Sequence, residues 1–348
     1  MGNKVLLVIL IYNGADYIRD CFSSLKNISY PKESLKILAI DNASTDNSVE
    51  LIRNNWPDVE VIESKDNIGF AAGNNIGMQY AIDNNFDYVY LLNQDTVVQP
   101  DFLQKAVGLA ETEKKIGVVQ SKLLLHSDKS KINSIGNEIH YLGFAYAGGH
   151  QSPDKPMEPR EITYSSGGAS LFSVKALKEV GLFNKEFFMY HEDTDLGWRL
   201  WLSGYKVMIA PNSVVYHKYE FSRSIKKFYF MERNRRLVMF QNYRLATLLL
   251  ILPACIMMSI SMFFYSFIAG WWKENLRVYW YFLKLKNWKQ LFATRKEIQA
   301  KRKVTEREVV KRFVGKIEFQ DIQNPLLRYI VNPVFSLYWQ IVKKIIFW

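Results

Sequence analysis

Four apolar runs, each closed by a polar loop, constrain the first hundred residues more than any other feature. Val5–Ile11, Leu35–Ile40, Val59–Glu63 and Tyr88–Leu92 alternate with helical spacing over Asp16–Leu25, Ser44–Asn55 and Gly73–Asn84. Strand and helix in strict turn predict an α/β fold built on a parallel, doubly wound sheet. The unbroken apolar runs suit strands covered on both faces. The first run follows a single lysine and leads into a polar turn without a small-residue cleavage site, so it reads as a strand and not a signal peptide.

Ligands of open α/β sheets bind beyond the carboxyl ends of the strands. Those ends are Tyr12-Asn13-Gly14, Asp41-Asn42-Ala43-Ser44, the loop Lys65–Asn75 and Asn93-Gln94-Asp95. Any one of them is an ordinary turn or helix cap. Four on one edge, with Asp41 and Asp95 among them, point to a nucleotide site. The loop at 65–75 has glycines for close backbone approach and a helix after it, whose N-terminus favours phosphate. It is not a dinucleotide fingerprint, because Gly69 and Gly73 do not give G-x-G-x-x-G. Asp95 is either a cap for the residues after it or a ligand for Mg2+ or Mn2+, which bind through one or two carboxylates plus substrate phosphates.

A second cluster is His191-Glu192-Asp193-Thr194-Asp195. Three acids in four residues repel one another. They are either the acidic first turn of a helix, favoured by its dipole, or a general base with a raised pKa. Glu192 and Asp195, three apart, share a helical face that Asp193 leaves. His217, after another apparent strand, is either structural or a nitrogen ligand.

The charge divides the chain. Residues 1–220 carry a net −6 and residues 221–348 a net +17. Between basic flanks, Leu245–Trp272 holds no charged residue or histidine, longer than the roughly 20 residues that cross a bilayer. Pro253 is expected to break this run into a re-entrant hairpin with both flanks cytoplasmic; a single transmembrane span is the alternative. The tail beyond it mixes Trp, Tyr and Phe with Lys and Arg, which suits an anionic membrane surface and not nucleic acid. Two cysteines, Cys21 and Cys255, give no disulfide framework. The expected layout is a catalytic domain at 1–220, a basic amphipathic connector at 221–244, a membrane-embedded segment at 245–272 and interfacial helices at 273–348.

VILIYNGADYIRDCFSSL, DNASTDNS, NIGFAAGNN, LLNQD, SSGGASLFS, VGLFNKEFFMYHEDTDLGWR and VVYHK follow one another in an order that resembles family 2 glycosyltransferases of the GT-A fold, especially the rhamnosyltransferase-like branch. The resemblance spans about residues 4–245. It implies a Rossmann-like nucleotide-diphospho-sugar transferase domain with a helical, membrane-associated C-terminal region, placed at the cell membrane with the catalytic domain on the cytoplasmic face. It implies inverting transfer from a nucleotide diphosphate sugar, such as dTDP-rhamnose or a UDP-sugar, to a lipid-linked or polysaccharide acceptor. By position, Asp41 would contact the nucleoside, with Tyr12, Asn13, Asn67, Gly69 and Asn74 lining that site and Gln94 and Gly168 near the donor. Asp95 and His217 would hold the metal, Asp193 would be the base, and Glu192, Asp195, Trp198 and Arg199 would support it or the acceptor. Asn93 departs from the family's D-x-D motif, and is expected to face the donor without being the principal metal ligand. A sugar-phosphate nucleotidyltransferase and an inactive membrane scaffold are the alternatives.

Overall fold

The computed structural model describes residues 2–218, 225–317, 325 and 327–348. The expected boundary at 220/221, and residues 318–324 and 326 of the tail expected as interfacial helices, lie outside them. Contacts divide the chain into two units. One comprises Met1–Asn137, Ala147–Phe188 and Tyr205–Glu220; the other comprises Glu138–Tyr146, Met189–Gly204 and Phe221–Trp348.

The first unit is an α/β domain around a ten-stranded mixed sheet. Its N-terminal part is the parallel array expected from the alternation: Val5–Ile11 lies between Leu35–Asp41 and Tyr88–Asn93, and Glu60–Glu63 adds to the outer side of Leu35–Asp41. Helices Ala15–Leu25, Ser48–Asn55 and Gly69–Asp83 make the crossovers. The central strand is fully buried from Val5 to Ile9, which accounts for its lack of alternation. The sheet changes character past Tyr88–Asn93. Ala169–Ser173 is antiparallel both to that strand and to Ile116–Leu125, and the long strand Lys206–His217 returns parallel to Ile116–Leu125.

The helix expected from residue 73 begins at Gly69, so most of the loop expected at 65–75 is helical. Its glycines serve packing on the sheet. A Cβ on Gly73 would stand 2.5 Å from Leu10 Cδ1, and one on Gly77 would stand 2.5 Å from Val8 Cγ1. Gly69 has a different reason: its φ is +85°, and a Cβ there would meet the Phe188 ring and carbonyl at 2.5 and 2.6 Å.

The second unit is mostly helical among its described residues. Ile225–Asn242, within the stretch expected as a basic amphipathic connector at 221–244, buries Glu232, Arg233, Asn234, Arg235, Leu237 and Val238. Glu232 accepts from Arg235 at 2.7 and 2.8 Å and from Arg236 at 3.0 Å. Burial pulls the Glu232 carboxyl upward, but the two guanidinium groups outweigh it and hold the pKa near 2. The apolar run forms one continuous helix, Leu245–Ile268, with Pro253 inside it. The hairpin expected at Pro253 is therefore not formed. The chain turns later, at Gly270, where φ is +80°, before helix Trp272–Leu283. Helix Leu245–Ile268 is long and apolar enough to cross a membrane, with a mean hydropathy of 2.2 and 22% of its most apolar window buried. Thr247, Ile251, Ala254 and Met258 form its packed face. Leu245, Leu249, Leu252, Ile256, Ile260 and Phe264 line an exposed one.

Candidate active site

The carboxyl ends of the parallel strands in the first unit are laced together by side chains. Asp41 is buried, and its carboxylate accepts from the Ser44 amide at 3.2 and 3.3 Å, which curls the chain after its strand. Asn42 reaches across, donating to Asn67 Oδ1 at 3.0 Å and accepting from the Ile68 amide at 3.0 Å. Asn67 Oδ1 also takes the Gly69 amide at 3.0 Å, at the start of the following helix. Asn13, at φ +46°, accepts from the Thr45 amide at 2.8 Å, while its own N–H donates to Ser44 Oγ at 3.0 Å. Gln94 clasps the Tyr12 backbone, accepting from its amide at 3.0 Å and donating to its carbonyl at 3.1 Å. Asn13 and Gln94 thus shape the loops, and the Tyr12 ring stands exposed between them and solvent. Asn74 is buried and donates to Phe70 O within its own helix, a structural bond.

At the end of Tyr88–Asn93, the Asn93 amide donates to Gly168 O at 2.9 Å. The Asn93 side chain lies over Gly168 so closely that a Cβ there would stand 2.9 Å from Asn93 Nδ2. Two residues on, the chain forms the short strand Thr96–Val98, which pairs antiparallel with Val215–His217, setting His217 opposite Thr96. That register brings His217 Nε2 to 3.3 Å from Asp95 Oδ1. The Lys218 amide donates to Asp95 O at 2.8 Å and fixes the turn.

The other face of His217 identifies what this pair can hold. Nδ1 is 2.9 Å from Asn133 Oδ1, an atom that only accepts, so Nδ1 is the donor. Nε2 then faces the Asp95 carboxylate either as a second N–H, in the imidazolium, or as a lone pair. Lone pair against carboxylate is repulsive unless a cation lies between. One nitrogen and one carboxylate, both partly solvent-accessible, fit a divalent ion completed by other oxygens. Among the described residues, no cluster of three or more His, Cys, Asp or Glu forms a complete cage, so the remaining ligands would come from elsewhere. Asn133, on strand Ile132–Ser134, sits in no motif and has no signal in the sequence.

The acidic cluster opens helix Glu192–Leu202 in the second unit. Tyr190 and His191 precede it at φ +67° and +68°, unusual for residues with a Cβ. Asn234 holds this strained turn, donating to Met189 O at 2.9 Å and Tyr190 O at 2.8 Å. The three acids then separate. Asp195 is fully buried, with Oδ2 accepting from Arg199 Nε at 2.7 Å and Oδ1 from Asn242 Nδ2 at 2.8 Å. Glu192 is buried, and its Oε2 makes no hydrogen bond among the described residues. Burial, reinforced by the charge of Asp193, pushes its pKa well above the usual carboxylate range. Asp193 alone is partly exposed, with Oδ1 accepting from the Thr194 amide at 2.7 Å. Trp198 is 1% exposed and packs edge-on against Tyr243 and Phe313, so it belongs to the core and does not present a surface to an acceptor. His191 is also buried, and desolvation, with Arg235 nearby, lowers its pKa to about 3.

A parallel sheet with acidic and amide loops at one edge, extended into a mixed sheet and followed by helices, is the GT-A class of fold. Two solved structures share it. The crystal structure of S. aureus TarS 1-349 in complex with UDP aligns with a TM-score of 0.53 and 17% identity, covering 98% of this chain and 90% of that one. The mannosyltransferase PcManGT from Pyrobaculum calidifontis, in complex with GDP-Man and Mn2+, aligns with a TM-score of 0.51 and 14% identity, covering 99% and 87%. The sequence model of glycosyl transferase family 2 matches residues 6–181, and the chain belongs to that family. Poly-beta-1,6-N-acetyl-D-glucosamine synthase from Staphylococcus aureus is 28% identical over 211 residues, which is 60% of this chain and 48% of the relative. The chain therefore spans about half the length of that relative.

Proposed function

We propose that the protein is an inverting glycosyltransferase, moving a sugar from a nucleotide diphosphate donor to an acceptor hydroxyl. The observation that carries this reading is the pairing of Asp95 with His217 at the carboxyl edge of the parallel strands. Asp41, Tyr12, Asn13, Asn67, Gly69 and Gln94 line or shape the loops for the nucleoside, and Asn93 and Gly168 face the donor. Asp95 and His217 would hold Mg2+ or Mn2+, and a relative of the same fold crystallised with GDP-Man and Mn2+ supports a divalent ion. When bound, such a cation supplies charge stabilisation to the leaving diphosphate.

Asp193 is the base that takes the proton of the acceptor hydroxyl as it attacks the anomeric carbon. It is the one acid of its cluster that is partly exposed. Burial, with the charge of Asp193, raises the Glu192 pKa well above the usual carboxylate range and so disfavours a second negative charge beside Asp193. The branch resemblance suggests dTDP-rhamnose as donor, and the long apolar helix with its basic neighbours suggests a lipid-linked acceptor at the cytoplasmic face of a membrane. Asp193→Asn tests the assignment. It should abolish transfer while leaving donor binding measurable by calorimetry; full turnover in that variant refutes the role. The released product separates this reading from nucleotidyl transfer, since sugar transfer frees a nucleoside diphosphate and the rival frees pyrophosphate.

A further inference from the structure

Within the second unit, an open cavity of about 960 Å3 runs along the exposed face of helix Leu245–Ile268. Its walls are Leu249, Leu252, Ile256, Ile260 and Phe264 of that helix, faced by Leu276, Tyr279, Trp288, Leu291 and Phe292 of the two helices that follow. Helix Ile225–Asn242 contributes Arg235, Arg236, Met239 and Phe240. Exposed apolar surface of this extent marks a binding face. Three arginines and no carboxylate line it, which an apolar partner alone does not explain.

The arginines are not equivalent. Arg235 is occupied: it makes a two-pronged bond to Glu232 and donates to the Leu142 carbonyl at 2.5 Å. Arg236 shares the same carboxylate through Nε only. Its Nη2 is buried and has no hydrogen-bond partner among the described residues. Arg295 donates through Nη1 to the carbonyls of Phe240 and Tyr243, neutral acceptors that do not cancel its charge. Arg236 reaches back one turn to Glu232, whereas Arg295 meets the Phe240 and Tyr243 carbonyls farther along the helix, so the two guanidinium groups mark separate positions on the cavity wall. Glu232 serves Arg235 and Arg236, and Glu306, the carboxylate that acts on Arg295, already pairs with Arg302, so positive charge is left beside a long apolar wall. Desolvated cations of this kind favour an anion, and guanidinium groups match phosphate oxygens in shape.

We propose that this cavity binds a lipid with a phosphate-monoester headgroup, its phosphate drawn to the charge of Arg236 and Arg295 and its chain along Leu249, Leu252, Ile256, Ile260 and Phe264. The proposal goes beyond sugar transfer and stands whether or not that lipid is the acceptor. Cys255 lines the same cavity and is half-buried, whereas the other cysteine, Cys21, is fully buried. Alkylation of the folded, full-length protein by N-ethylmaleimide therefore reads the cavity.

The test compares vesicles of phosphatidylcholine alone, with added phosphatidic acid, and with added oleic acid at matched surface charge. A further phosphatidylcholine sample contains inorganic phosphate in solution. Cys255 alkylation is expected to slow roughly tenfold with phosphatidic acid once it exceeds its dissociation constant about tenfold, and with none of the others. Arg236→Gln/Arg295→Gln should abolish that selectivity, while Lys286→Gln/Lys289→Gln, which removes the same charge outside the cavity, should keep it. If the arginine variant does not fold, Ile260→Trp fills the cavity from an exposed position and should block the protection. Equal protection by oleic acid or by inorganic phosphate overturns the proposal, as does protection that follows protein concentration and hence self-association. Any of these failures leaves the donor-site assignments untouched, because their readout is nucleotide binding.

Discussion

Asp195→Asn separates a structural acid from a catalytic one in a motif where three acids stand within four residues. Asp195 is fully buried, and its two oxygens are taken by Arg199 Nε at 2.7 Å and Asn242 Nδ2 at 2.8 Å. The Asn variant keeps the volume but removes the charge that balances Arg199, itself only 7% exposed. Removing one partner of a buried ion pair costs about 3–5 kcal/mol, because the other charge stays desolvated. At roughly 2–4 °C per kcal/mol for domains of this size, the midpoint of thermal unfolding should fall by about 6–20 °C. The assay is calorimetry or circular dichroism, run beside Asp195→Leu/Arg199→Met. That double variant removes both charges and should recover most of the loss. Nucleotide binding at 20 °C should be unchanged in the folded fraction. The reasoning is refuted if Asp195→Asn unfolds within about 1 kcal/mol of the parent. It is also refuted if turnover disappears while stability stays whole, since Asp195 would then act on the reaction directly.

Three further outcomes follow from the geometry. Asp95→Ala should weaken Mn2+-dependent nucleotide binding by at least about tenfold, measured by titration calorimetry, whereas Asn93→Ala should lower donor affinity and keep the metal dependence. Equal loss of metal dependence in both would remove the distinction between the two side chains. Gly69→Ala should destabilise by about 1 kcal/mol or more from its φ of +85° alone, with the Phe188 carbonyl 2.6 Å from the new Cβ adding to it; denaturant unfolding with an unchanged midpoint contradicts this. Glu192→Gln should change the pH dependence of stability. A carboxyl whose pKa is raised in the folded state contributes stability fully below its unfolded pKa near 4.5, and that contribution is lost as pH rises toward the folded value. The variant should therefore gain on the parent as pH rises above the unfolded value, and parallel pH profiles of the unfolding midpoint would exclude a raised Glu192 pKa.

Periodicity and loop chemistry are local, and what depends on them was legible in the sequence. The apolar run Val5–Ile11 has no solvated face because it is the central strand, so the parallel array and its ligand edge could be read from order alone. The acidic turn at 192–195 and the helix after it were legible for the same reason. The 28 uncharged residues at 245–272 announced a long apolar helix, though not that it would run through Pro253 unbroken, since helix packing and not proline content decides that. The contacts that give the loops their roles are nonlocal. His217 meets Asp95 only because Thr96–Val98 pairs in one register with Val215–His217, and a one-residue slip would turn the imidazole to the other face. Asn133 orients that imidazole from a segment without any recognisable motif. Likewise Asn234 and Asn242, forty residues beyond the acidic turn, hold its strained entry and occupy Asp195. Composition presented Glu192, Asp193 and Asp195 as equals. Burial, which depends on what the rest of the chain packs around them, made one a core ion pair, raised the pKa of another, and left Asp193 as the partly exposed acid.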